Sequence, residues 1–124
     1  MIYLTVTKDQ HGAGIQQIPV EDILYMQFDN RLLISVQTEA AQYFTVGNLR
    51  FWEAAFEKAG LNFLRLDRGV LVNLNKVQMV DPTYKIAYFG THTNSKRCTM
   101  STSGYKLIRE KMSLEFSQKS LPIT

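Results

Sequence analysis

The residues best suited to recognition chemistry lie in the run Phe63 to Asn73, Phe-Leu-Arg-Leu-Asp-Arg-Gly-Val-Leu-Val-Asn. Phe63, Val70 and Val72 can anchor this stretch to a core, while Arg65 and Arg68 interrupt it with two guanidiniums. A guanidinium is a planar fork of donors that grips phosphate or a base edge in a way the lysine ammonium does not match. The competing use of each arginine is an ion pair with Asp67 or another nearby acid, an alternative that weighs more on Arg65 than on Arg68.

Catalytic chemistry has less to build on. Catalysis needs titratable groups that converge on one pocket, whereas His11 and His92 lie far apart in two expected loops. Glu21 and Asp22 are adjacent and in an extended segment would point to opposite sides, so each reads as a solvated or turn-capping acid. There is no His-Glu-x-x-His, Cys-x-x-Cys, phosphate-cradling Gly-rich loop or Gly-x-Ser-x-Gly elbow. Two scattered histidines and the single cysteine, Cys98, do not make a metal-ligand set. The chain is therefore read as a non-enzyme with no cofactor and no metal. Cys98 has no partner for an internal disulfide, which fits a reducing compartment, and it reads as a small, half-buried strand residue.

Charge adds a direction. The net charge is +3, but it is unevenly spread. Residues 1–57 carry three basic groups against seven acids, a net −4, whereas residues 58–111 carry ten basic groups against Asp67, Asp81 and Glu110, a net +7. A basic surface draws polyanions such as phosphodiester backbones if folding gathers those charges on one side. The alternative is a solvated surface with no partner.

The elements that must position these residues follow from pattern. At 124 residues, 45% apolar and 20% charged, the chain has ordinary globular composition and room for one hydrophobic core. No apolar run approaches the roughly 18 residues of a membrane helix, and Met1 to Thr7 does not read as a secretory signal, so a cytoplasmic location is expected. Strands are expected at Ile2–Thr7, Ile23–Phe28, Arg31–Gln37 and Gln42–Val46, with Lys8–Gln17 as a loop and turns at Asp29-Asn30 and Glu39-Ala40. A helix follows Gly47, capped by Asn48 and ended by Gly60, with Leu49, Trp52, Phe56 and Ala59 as its core stripe. Short strands are expected at Phe63–Leu66, Val70–Val72, Val77–Val80, Tyr84–Phe89 and Lys96–Met100. A last helix carries Tyr105, Ile108, Met112 and Phe116 inward, widened by Leu107 and Leu114, with Lys106, Arg109 and Lys111 outward. Without regular β-α alternation this order predicts a mainly β, antiparallel architecture, one domain over 1–116 and a tail over 117–124.

Three pieces of the sequence together resemble the LytTR DNA-binding domain of bacterial transcription regulators. They are Ile18-Pro-Val-Glu-Asp-Ile-Leu-Tyr25, the stretch from Phe63-Leu-Arg65 through Asn73-Leu-Asn-Lys-Val77, and Cys98-Thr-Met-Ser-Thr-Ser-Gly-Tyr105. The resemblance spans about residues 1–112 and looks like a stand-alone protein of this type. It implies an elongated, sandwich-like antiparallel β fold with one short central helix and one C-terminal helix, whose loops enter successive grooves of double-stranded DNA. It further implies base contacts from the hairpin at Asp29-Asn30-Arg31, from Arg68, and from the loop before the last helix, Thr102-Ser103-Gly104. Those roles fall on Asn30, Arg31, Arg68 and Ser103, with Lys106 as a phosphate contact.

Two positions depart from the family pattern. The family usually has a His-Arg-Ser-like run where Asp67-Arg68-Gly69 stands, and a basic residue is common where Ser103 stands. Weaker binding, a different recognised sequence, or charge supplied by Lys96 and Arg97 of the preceding strand would each accommodate them. The function expected is a sequence-specific regulator that reads promoter repeats as two copies of the domain. The alternative is an interaction module that keeps the fold and partners or sequesters another regulatory protein. No membrane partner is expected.

Overall fold

The computed structural model describes residues 1–30, 32–92 and 94–115, and within them the side chains of all but residue 30 and residues 113–115. Ten strands are described, β1 Tyr3–Val6, β2 Gln16–Pro19, β3 Ile23–Asn30, β4 Leu33–Thr38, β5 Gln42–Val46, β6 Phe63–Asp67, β7 Val70–Asn73, β8 Met79–Asp81, β9 Ile86–Tyr88 and β10 Arg97–Thr99. Two α-helices join them, α1 Leu49–Lys58 and α2 Thr102–Glu115. The strands form three antiparallel sheets: β1-β2, a five-stranded sheet in the order β5-β4-β3-β7-β6, and β10-β9-β8.

The five-stranded sheet has apolar packing on both faces, which is why β7 reads Val-Leu-Val and is buried throughout. On one face Ile23, Met26, Ile34 and Leu71 meet Leu49 and Phe56 of α1. On the other, Leu66, Val70 and Val72 meet Ala87 and Cys98 of the three-stranded sheet and Ile108 and Met112 of α2. The buried side chains thus form two clusters with the sheet between them, rather than a single core. Asn73, buried at 3% exposure, satisfies its amide by donating to Ile23 O at 2.9 Å and accepting from Asn75 N at 3.1 Å, as burial of a polar group requires.

Helix α1 shows how local chemistry sets the frame. The Asn48 side chain accepts from Phe51 N at 2.8 Å, the expected N-cap. At the other end Gly60 takes a φ of 77°, Gly60 N donates to Glu57 O and Leu61 N donates to Phe56 O, a Schellman closure that needs the left-handed residue. Ala59 is exposed, so the buried stripe ends at Phe56.

Several expectations are corrected. Gln16–Pro19, assigned to a loop or its flank, is strand β2, because its backbone pairs with β1 although its side chains show no alternation a sequence could reveal. The first hairpin does not turn at Asp29-Asn30: β3 runs through Asn30, which pairs with Leu33. Glu21 and Asp22, by contrast, sit exposed in a 3-10 turn, as expected of solvated or turn acids. Thr102–Gly104 is not a loop but the first turn of α2. Leu107 lies 42% exposed on the outer side of that helix, because Gly104, Ile108 and Met112 occupy the inner one. Phe116 and the expected tail lie outside the described residues, as does the side chain of Leu114.

Candidate nucleic-acid interface

The turn between β6 and β7 is held from three directions. Arg65, on the α1 face of β6, donates from Nη2 to Arg68 O at 2.7 Å and from Nη1 to Glu53 Oε1 of α1 at 3.3 Å, with a longer contact from Nε to Asp67 O at 3.5 Å. The Asp67 carboxylate turns back onto the chain, Oδ1 accepting Arg68 N at 2.6 Å. From β3, Phe28 N donates to Gly69 O at 2.9 Å. The backbone of Arg68 is thereby fixed while its side chain is exposed. The acid pairing weighed for Arg65 is realised with Glu53, not Asp67.

Helix α2 approaches the same strand from the other face. Leu66 O accepts from both Ser101 N, at 2.9 Å, and Ser101 Oγ, at 3.3 Å. Ser101 Oγ also accepts Gly104 N at 3.0 Å, which makes it the cap of the helix. A Cβ at position 104 would overlap the carbonyl of Leu66, so glycine is required by closeness of backbones rather than by its dihedral freedom. This brings Ser103, exposed and 3.1 Å from Ser101 Oγ, to the flank of the Arg68 turn.

Arg68 consequently forms the shared wall of two shallow depressions. One, on the α2 side, is lined by Glu53, Arg65, Asp67, Arg68, Ser101 and Ser103. The other, on the α1 side, is lined by Phe28, Asn48, Leu49, Arg50, Arg65 and Arg68. Beneath the α2 side lies Cys98, whose thiol is pushed up to about 12 by burial and then by the Asp67 charge, so it remains neutral there.

The other expected contact residues divide. Lys106 is exposed on α2, one turn beyond Ser103. Asn30 closes β3 two residues past Phe28, at the same end of the sheet as the Arg68 turn, since Gln27 pairs with Val70. The Asn30 side chain and Arg31 lie outside the described residues. Lys96 is not brought to this cluster. Its Nζ donates to Gln37 Oε1 at 2.9 Å, Thr38 O at 2.7 Å and Ala41 O at 3.0 Å, at the β4–β5 turn, which is the opposite end of the sheet. Burial lowers its pKa below the ordinary lysine value, and the ammonium is occupied in tying the two sheets together. Arg97 lays its guanidinium over the ring of its cross-strand partner Tyr88, 5.1 Å from the centroid. Arg50 and Phe28 are the neighbours of Arg68 that sequence reasoning passed over. Arg50 falls outside the Leu49–Phe56 stripe, a usable sign of exposure, but nothing local relates it to Arg68.

The site is thus an exposed arginine on a braced turn of a mainly β scaffold, with the first turns of both helices beside it. Residues 13–113 match the family model described as the LytTr DNA-binding domain, and the chain belongs to that family. It is thus a DNA-binding domain of the LytTR type. The fold is also similar to the solved LytTr DNA-binding domain of a Bacillus cereus protein described as a methyl-accepting/DNA response regulator. That match has a TM-score of 0.68 and 20% identity, covering 87% of this chain and 94% of the other. No curated protein sequence matches the chain. Among the described residues no helix is long and apolar enough to cross a membrane, and no group of three or more His, Cys, Asp or Glu residues is placed to hold a metal.

Proposed function

We propose that the protein is a sequence-specific transcription regulator that binds double-stranded DNA through the end of the sheet carrying the β6–β7 turn. The observation that carries this reading is Arg68: an exposed guanidinium on a backbone held by Arg65, Asp67 and Phe28. A braced turn presents its side chain with little further backbone ordering on binding, and a guanidinium fork matches the O6 and N7 acceptors of guanine in the major groove. Ser103 on α2 would add a base contact beside it, and Lys106 a phosphate contact that positions rather than specifies. Asn30 and Arg31, at the neighbouring hairpin, would provide a second reading element, and two copies of the domain would occupy a repeated site.

The test is fluorescence anisotropy on the promoter upstream of the protein's own gene and on a random duplex, each across a salt series. Tight binding to the promoter with a steep salt slope supports the reading. A second reading, a module that binds another regulatory protein, is favoured by exposed apolar residues near one end of the sheet. Leu32 O accepts Gly47 N, Val46 O accepts Trp52 Nε1, and Phe51 packs edge-on to Trp52, so Leu32, Val46 and Phe51 lie near one another at 59–72% exposure. No binding to either duplex at low salt would favour it.

A further inference from the structure

The two depressions beside Arg68 differ in charge. The α2 side holds two acids, Glu53 and Asp67, against Arg65 and Arg68. The α1 side holds Arg50, Arg65 and Arg68 with no carboxylate among its lining residues. Arg65 lines both and is neutralised by Glu53 at 3.3 Å, so the excess on the α1 side belongs to Arg50 and Arg68. Both are exposed, and among the described residues neither guanidinium has an acid at ion-pair distance.

In the same depression Phe28 is 45% exposed, in a strand whose residues Ile23 to Met26 are buried. Its backbone is bonded to the Arg68 turn through Gly69, so the backbones that carry the ring and the arginine are held side by side. An apolar surface beside two guanidiniums that no acid among the described residues pairs suits a ligand that is anionic on one side and apolar on the other. A nucleotide has both, in its phosphate and in the carbon face of its sugar.

Resting on the DNA-binding reading above, we propose that the interface extends onto α1: Arg50 contacts a backbone phosphate next to the base read by Arg68, and Phe28 packs against the sugar of that nucleotide. The arrangement supplies charge that Ser103 does not carry and that Asp67 opposes on the other side. It also takes over the compensating role that Lys96, occupied at the far end of the sheet, does not fill.

The experiment uses the full chain, a short fluorescent random-sequence duplex and a salt series, so no operator is required. Arg50→Gln keeps the helix propensity and removes one charge. It should weaken binding about fivefold near 0.15 M salt and flatten the log–log salt slope by about 0.9, the release expected for one phosphate contact. Lys58→Gln removes the same charge from the exposed far end of α1 and should leave the slope unchanged. Phe28→Ala should weaken binding at constant slope. The inference is overturned if Arg50→Gln keeps the wild-type slope, or if Lys58→Gln matches its loss, since the effect is then only net charge. Unchanged affinity in Phe28→Ala removes the aromatic contact. Failure of the DNA-binding reading itself shows differently, as a wild-type protein that does not bind the duplex at all.

Discussion

The two sides of the β6–β7 turn are built differently. On the α2 side contact is backbone to backbone: the first turn of the helix sits against the Leu66 carbonyl, with Ser101 bonding to it twice and Gly104 leaving no space between. On the α1 side contact runs through a long side chain, Arg65 reaching Glu53 and the Arg68 carbonyl, and an open cationic depression remains between helix and turn. The lesson is that one turn is held by backbone contact on one face and by a side-chain brace beside a cationic depression on the other. Rigidity comes where the chain packs on itself, and room for a ligand comes where a side chain spans the gap.

The difference is open to attack in order of expected effect. Gly104→Val should be the most damaging change, because its side chain meets backbone and not a movable side chain. A loss of about 3 kcal/mol or more is expected in urea unfolding, and a near-neutral result would mean that α2 is not closed on β6 as described. Arg68→Ala should cost about 1–3 kcal/mol on a preferred site and much less on random DNA, measured by anisotropy. Equal losses on both would reassign Arg68 from base reading to the backbone.

Arg65→Lys keeps the charge but cannot hold the turn as a fork. It should lower stability by about 1 kcal/mol and reduce the ratio of preferred to random affinity without changing the salt slope; a changed slope would make Arg65 a phosphate contact. The smallest effect concerns Cys98. Its folded thiol titrates near 12 against an ordinary 9.0, so the folded state holds the proton more tightly than the unfolded one. Its contribution to stability is therefore fully present below about pH 9 and is lost as pH rises from there toward 12. Thiol labelling at pH 8 should be slow in the wild type and faster in Gly104→Val, and fast labelling in both would show the α2 face to be open.

Much of the frame was legible in residue order. The helix over 49–58 was readable because Asn48 and Gly60 act within one turn of the ends they set. The succession of short strand patterns carried the mainly β architecture, and the contiguous run around Arg68 marked it before the family likeness gave it a role. What escaped depends on pairing across distance. Strand β2 is defined by β1, not by its own Gln-Gln-Ile-Pro. Lys96 looked like spare charge until the β4–β5 turn was placed over it. Arg50 was counted with the acidic half of the chain, because a charge tally along a sequence is not a tally over a surface.

The sequence by itself determined the caps, the apolar periods and the presence of two arginines on one short hairpin, all of which act over a few residues. Only the tertiary structure decided which of those arginines is a brace and which is exposed. It also decided that Gly104 is needed for closeness, and that Arg50 and Phe28 share a wall with Arg68. The physical reason is range: propensity and capping act through neighbours in the chain. Ion pairing, burial and electrostatic fields act through neighbours in space, and in an antiparallel β fold those come from strands and helices far apart in the chain.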